Sequence, residues 1–222
     1  MNRTTVRVWD LPTRLFHGLL IAGVVGLVIT GQIGGNAMEW HFRLGYAVLT
    51  LLLFRLVWGF AGGRWSRFTS FVRPPGVIWR YLRGSETSPP SVGHNPLGAV
   101  SVLVLLGVLL LQVGTGLFSD DEILSAGPLS RFLPSAWVGS VTFYHKEIGK
   151  LLLILLVVLH VAAILYYRLR RGQDLVRAMI TGDKEVDGDA PPSLDHAGTR
   201  WRAAFILALC AGLVAAMLRF AA

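Results

Sequence analysis

Five of the six histidines in this 222-residue chain (His17, His41, His94, His145 and His160) lie in or at the ends of its most apolar stretches. An ionisable side chain in such surroundings is costly unless it faces a cavity or a partner. The segment "FYHKEIGKLLLILLVVLH" sets His145 and His160 at either end of a run of Leu, Ile and Val. As a helix, that separation is about 22 Å of rise, and the two rings emerge within about 60° of each other. One helix therefore offers an imidazole at each of two depths, on roughly one side. Counting the crossings of the chain, His17 shares the depth of His160, and His41 shares that of His145. Each layer thus draws two imidazoles from two different helices. His196 lies in a polar segment and reads as solvated.

Two neutral imidazoles in an apolar bundle suit few cofactors. Zinc usually takes four ligands, often including thiolate or carboxylate. No carboxylate lies deep in an apolar run, and the single cysteine, Cys210, is in the last of them. A haem needs two axial ligands and an apolar slot, and bis-imidazole ligation leaves no open position, which suits electron transfer. There is no C-x-x-C-H attachment motif, so non-covalent b haems are expected. The depths pair His17 with His160 and His41 with His145, giving two haems stacked across a membrane.

Haem propionates call for cationic or hydroxyl partners. Arg55 follows His41 by about 21 Å of helix and about 40° of rotation. It is either a propionate partner in the cytoplasmic layer or a snorkelling anchor. Arg43, Tyr144 and Lys146 could serve the outer layer. His94 opens the third apolar run beside Pro96, which suits a first helical turn. It is expected to contact a propionate or quinone, with axial ligation in place of His17 as the alternative. "HFRLG", "HNPLG" and "HKEIG" each set a glycine four residues after a histidine, on the same helix face. Such a glycine admits either a flat group or a neighbouring helix.

The elements that must position these residues are membrane spans. The chain is 53% hydrophobic and only 15% charged, with mean hydropathy +0.56; soluble domains of this length are rarely so apolar. Apolar runs at 15–33, 42–61, 97–118, 148–167 and 203–220 are each close to the span length of about 20 residues. The first reads as a retained span, not a cleaved leader. The expected fold is all-α integral membrane: a four-helix transmembrane haem-binding bundle within residues 1–184, then a cytoplasmic connection and a fifth transmembrane helix within 185–222.

The net charge of +8 does not indicate nucleic acid, because the basic residues are segregated. Arg3, Arg7 and Arg14 precede the first span; Arg64, Arg67, Arg73, Arg80 and Arg83 lie between the second and third; Arg168, Arg170, Arg171, Arg177, Lys184, Arg200 and Arg202 lie between the fourth and fifth. The intervening connections hold only Arg131. The positive-inside rule then puts the N-terminus in the cytoplasm and the C-terminus in the periplasm of a bacterial inner membrane, with membrane lipid as a partner. Residues 77–84, "VIWRYLRG", read as a short interfacial helix or a juxtamembrane loop. Residues 85–91 read as a polar, breaker-rich loop, and residues 173–200 as a loosely ordered connection. Asp120, Asp121 and Glu122 either steer a basic protein or belong to a solvated loop.

"VWDLPTRLFHG", "HFRLGYAVLTLLLFRLVWGF", "GHNPLGA" and "YHKEIGKLLLILLVVLH" together resemble the prokaryotic cytochrome b561 family, which includes the b-type cytochrome subunits of nickel–iron hydrogenases. The resemblance covers residues 8–184. It implies a four-helix core with two b haems ligated from helices one, two and four, carried here by His17, His41, His145 and His160 in the pairs already derived. It also implies electron exchange between quinone and a redox partner, a periplasmic c-type cytochrome or an oxidoreductase subunit. The alternative is a stand-alone quinone-linked oxidoreductase such as a superoxide oxidase; a haem-free scaffold or transporter leaves the histidine layers unexplained.

Overall fold

The computed structural model describes residues 3–84, 92–121 and 125–222. In chain order its elements are strand β1 (Arg3–Arg7), α1 (Leu11–Ile33), α2 (Met38–Ala61), the short α3 (Phe68–Phe71) and α4 (Pro75–Leu82), α5 (Pro96–Phe118), α6 (Ser135–Phe143), a π turn (Tyr144–Gly149), α7 (Lys150–Arg171), α8 (Leu175–Thr181), β2 (Asp183–Asp187) and α9 (Ala197–Ala221). Among the described residues, five helices are long and apolar enough to cross a membrane; α6, the π turn and α7 run on as one of them, Ser135–Arg171. The chain is a multi-pass helical membrane protein. Many of its large apolar side chains point outward, Phe60, Trp201 and Phe205 among them, exposed by 71%, 75% and 65%. Such surfaces need lipid, not water, as their solvent.

Local chemistry sets the helix ends. Asp10 caps α1, its Oδ1 accepting the Thr13 N–H at 2.8 Å, and Pro12 sits in the first turn, where no N–H is needed. Asn95 caps α5 through the Gly98 N–H at 2.7 Å. Gly34 and Gly35 stop α1 with φ of +66° and +52°, a left-handed pair that only glycine adopts cheaply. Along α1, a Cβ on Gly23 would meet Val48 at 2.6 Å and one on Gly26 would meet Leu44 at 2.8 Å. These glycines let α2 approach closely, as small residues do between membrane helices.

The chain forms two compact units. The first comprises Met1–Leu15, Arg55–Val104 and Leu159–Phe205. In it β1 and β2 pair antiparallel, Arg3 opposite Asp187 through Arg7 opposite Asp183. Val8, Trp9 and Ala178 form a small core with Trp65, Val92 and Met179. These residues come from before the first span, between the second and third, and between the fourth and fifth. Even numbers of crossings separate those segments, so five spans require all three on one side. Their packing together agrees with that count.

The same unit corrects the reading of residues 173–200 as loosely ordered. They contain α8 and β2. Ser193 is buried, donating its Oγ–H to the Val8 carbonyl at 2.7 Å and its N–H to that of Arg7 at 2.7 Å. Asp195 pairs with Arg7 at 3.0 Å and Arg200 at 3.2 Å. Burial pushes the Asp195 carboxyl up, but Arg200, the Leu11 backbone N–H and Arg7 together outweigh it and hold the group below the usual carboxylate range. The polar residues of this segment are strand and ion-pair partners of the N-terminal strand, a relation invisible to local composition. Residues 77–82 are helical, within α4, and Tyr81 bonds Tyr167 hydroxyl to hydroxyl at 3.0 Å.

Asp10 also ties α1 to α2 and its following loop. Fully buried, it accepts from Trp58 Nε1 at 3.2 Å, the Gly63 N–H at 3.1 Å and Ser66 Oγ at 3.0 Å.

The second unit comprises Phe16–Phe54, Leu105–Val158 and Ile206–Ala222. Its α5–α6 connection meets the end of α9: Arg131 donates to the Phe220 carbonyl at 3.0 Å, and Phe132 stacks on Phe220 at 5.7 Å. Glu122 and residues 85–91 lie outside the described residues.

Asp10→Asn is expected to destabilise the protein by about 1–3 kcal/mol, because an amide cannot accept from all four donors and leaves one buried and unpaired. The thermal midpoint in detergent measures it; an unchanged midpoint would contradict the role given to the carboxylate.

Candidate haem site

In the second unit, His41 in the first turn of α2 and His145 in the π turn face each other. Their ring centroids lie 6.2 Å apart with planes at 90°. Both rings are fixed in the same way. His41 Nδ1 is 3.0 Å from the Leu27 carbonyl of α1, and His145 Nδ1 is 2.9 Å from the Gln112 carbonyl of α5. A carbonyl oxygen only accepts, so Nδ1 carries the proton in both rings and Nε2 keeps its lone pair. That is the tautomer a metal-ligating histidine needs, with the orienting hydrogen bond such ligands usually make.

The two supports repeat in detail. Three residues after each acceptor carbonyl stands a threonine, and a glycine follows it. Thr30 Oγ1 donates back to the Gly26 carbonyl at 2.7 Å and lies 3.3 Å from His41 Nδ1. Thr115 Oγ1 donates back to the Leu111 carbonyl at 2.8 Å and lies 3.4 Å from His145 Nδ1. The glycines make room for the rings. A Cβ on Gly31 would meet His41 Cε1 at 3.2 Å, and one on Gly116 would meet His145 Cε1 at 2.8 Å.

These residues line a cavity of about 410 Å³, bounded by the apolar faces of α1, α2, α5 and α7 and by glycines including Gly31, Gly34, Gly35, Gly45 and Gly116. A wall of glycines lets a planar group lie against backbone. Lys146 is exposed at the cavity rim. Tyr144 is half-buried in the same π turn, beside Gly149.

The three glycines that follow a histidine by four residues serve different ends. Gly45 lines the cavity with open space where a side chain would be. Gly98 closes the Asn95 cap. Gly149 admits the Gln112 side chain, whose Nε2 donates to the His145 carbonyl at 2.9 Å.

The other candidate residues are placed as follows. His17, half-buried on α1, lies in the second unit beside Phe16, whose ring packs on Phe54 at 6.5 Å. In the first unit, His160 of α7 is half-buried, its Nδ1 3.5 Å from Ser101 Oγ. His94 is held between aromatic rings, Trp9 at 4.7 Å and Phe71 at 4.5 Å. Arg55 is buried, its guanidinium 5.1 Å over the Phe68 ring and its Nη1 without a hydrogen-bond partner. A buried cation with a donor left over fits an anionic group supplied from outside the polypeptide. Asp120 and Asp121 line the second unit's cavity at its rim.

Sequence reasoning missed Asp10, Gln112, the two Thr-Gly pairs and the π turn. A π turn has no compositional mark, though it often occurs at functional sites. The Thr-Gly pairs in "ITGQ" and "GTGL" were a usable signal, being small and polar in spans of Leu and Val.

Two backbone-tethered imidazoles at a glycine-lined cavity have the chemistry to meet a planar cofactor whose metal takes nitrogen ligands. The family comparison agrees: residues 8–182 match the model of prokaryotic cytochrome b561, and the chain belongs to that family. It is a b-type membrane cytochrome of electron transfer. It is similar to the probable Ni/Fe-hydrogenase B-type cytochrome subunit of Azotobacter vinelandii, 26% identical over 86% of this chain and 92% of the relative. The corresponding protein of Bradyrhizobium diazoefficiens is 22% identical over 83% and 88%, and the hydrogenase 1 subunit of Escherichia coli K12 is 22% identical over 79% and 88%. No solved structure matches the chain.

Gly116→Ala is expected to displace the His145 ring and lower the haem-to-protein ratio, since the new methyl would sit 2.8 Å from Cε1. Gly31→Ala, at 3.2 Å, should do so more mildly. Pyridine haemochrome assays measure both; full retention in Gly116→Ala would contradict the packing argument.

Proposed function

We propose that the chain is a dihaem b cytochrome that carries electrons across a bacterial inner membrane between the quinone pool and a redox partner. One observation carries the reading, the spacing of His41 and His145. If both rings were to hold one metal, bonds of about 2 Å with each ring centre about 1 Å beyond its nitrogen would call for a separation of about 6 Å. The observed 6.2 Å is that distance. A b haem bound there supplies one-electron exchange between ferric and ferrous iron.

The protein's part is orientation and exclusion. Leu27 and Gln112 hold the imidazoles in the ligating tautomer, and the apolar walls of the cavity keep water from the axial positions. His17 and His160 are the second ligand pair, on the strength of their shared depth along α1 and α7. Arg55 is the partner of a propionate, and Lys146 and Tyr144 are the candidate partners of the outer group's propionates or of a quinone. His94, between its two aromatic rings, makes contacts around the inner group and is not a ligand.

The names of the similar proteins favour an oxidoreductase subunit of the nickel–iron hydrogenase kind as partner over a free c-type cytochrome. The cavity rim carries Asp120, Asp121 and Glu147 against Lys146 and Lys150, a mixture that does not draw in a small anion. This weighs against a stand-alone superoxide oxidase. The basic residues of the three segments gathered in the first unit support a cytoplasmic N-terminus and, after five spans, a periplasmic C-terminus.

His41→Ala and His145→Ala should each remove one haem, and His17→Ala and His160→Ala the other, halving the haem-to-protein ratio in all four. Double variants within a pair should be no worse than single ones, whereas variants across pairs should lose both haems. Four variants with full haem and low-spin spectra would overturn the assignment.

A further inference from the structure

The supports of His41 and His145 match except in one respect. Leu27 offers His41 only a backbone carbonyl. Gln112 holds His145 twice: its carbonyl accepts from Nδ1 at 2.9 Å, and its side-chain Nε2 donates to the His145 carbonyl at 2.9 Å. The two bonds run in opposite directions between one residue of α5 and one of the π turn. Together they fix both the backbone and the ring of His145. The π turn makes this grip necessary. Its i→i+5 pattern departs from the ordinary helical ladder, such turns are rare and short, and the His145 carbonyl takes a donor from another helix.

Gly149 belongs to the same device. A Cβ there would collide with the Gln112 amide oxygen and lie 2.8 Å from Tyr144 Cε1. The glycine is what allows a glutamine side chain to reach the turn.

We propose that Gln112 is a positioning residue that sets the reduction potential of the iron ligated by His145, by keeping the imidazole N–H aligned on its own carbonyl. This rests on the ligand role proposed for His145. A well-aligned bond from Nδ1–H to a carbonyl makes the imidazole more basic and stabilises the ferric state. Losing the amide lets the π turn relax, weakens that bond and raises the potential.

The test uses purified full-length protein with its haem, as Gln112→Met, which keeps the length and removes the amide, and as Gly149→Ala, which displaces the amide without touching Gln112. Haem-to-protein ratio, ferric electron paramagnetic resonance and potentiometric titration of both haems are measured. Expected in both variants are a wild-type haem ratio and a rise in one midpoint of the order of tenfold in the reduction equilibrium, about 59 mV for one electron. The anisotropy of the same haem should change, with the second haem unaltered. Unchanged midpoints and g-values in both variants overturn the proposal, and so does an equal shift of both haems, which marks a general loosening of the bundle. If Gln112→Met sheds haem, Gly149→Ala and Gln112→Asn decide in the same terms. Failure of the ligand reading would show separately, as a wild-type protein without low-spin bis-imidazole iron.

Discussion

Each imidazole at the cavity gives its Nδ1 proton to a helix carbonyl. Everything else about the site follows from that commitment. It fixes the tautomer, aims Nε2 away from the donating helix and couples the ring to the backbone of a neighbouring span. His41 of α2 is registered by α1, and His145 of the π turn by α5. The two rings are therefore only as well placed as the packing of four helices. That packing needs glycine at Gly31 and Gly116 for the rings, and at Gly23 and Gly26 for the close approach of α2.

Lipid supplies no hydrophobic drive for helix association, so polar contacts and close packing must select the arrangement. Polar contacts between elements are placed accordingly. In one unit they are Leu27, Thr30, Gln112 and Thr115 around two imidazoles. In the other they are Asp10 with its four donors, and Asp195 with its arginines. Asp10 gathers the start of α1, the end of α2 and the loop after it, while Asp195 links the strand before α1 to the start of α9. The apolar remainder of each helix faces outward, where the bilayer is the solvent.

Much of this could be read from residue order. Five apolar runs of bilayer length gave the spans, and the segregation of arginines gave which connections share a side. The spacing of His145 and His160 is the basis for expecting two layers, because α-helical rise converts directly into depth. What escaped has one cause: the contacts join residues distant in the chain. Asp10 reads locally as a helix cap, and only the fold brings Trp58, Gly63 and Ser66 to it. Gln112 reads as a polar blemish in an apolar span until the π turn meets it. Residues 173–200 look like a solvated linker because their partners, Arg7 and Val8, are far away in sequence. The histidine–glycine spacing misled in the opposite way, since one local pattern served a cavity wall, a helix cap and a tether.

The claim at the centre of this account is that His41 and His145 are the axial pair of one b haem. Ferric electron paramagnetic resonance of the purified protein tests it most directly, because the signal reports both the ligands and the angle between their planes. Rings held at 90° predict a low-spin, highly anisotropic signal with a single dominant low-field feature, accounting for one of two haems. High-spin five-coordinate iron, or a rhombic low-spin signal of near-parallel imidazoles as the only species, would contradict it.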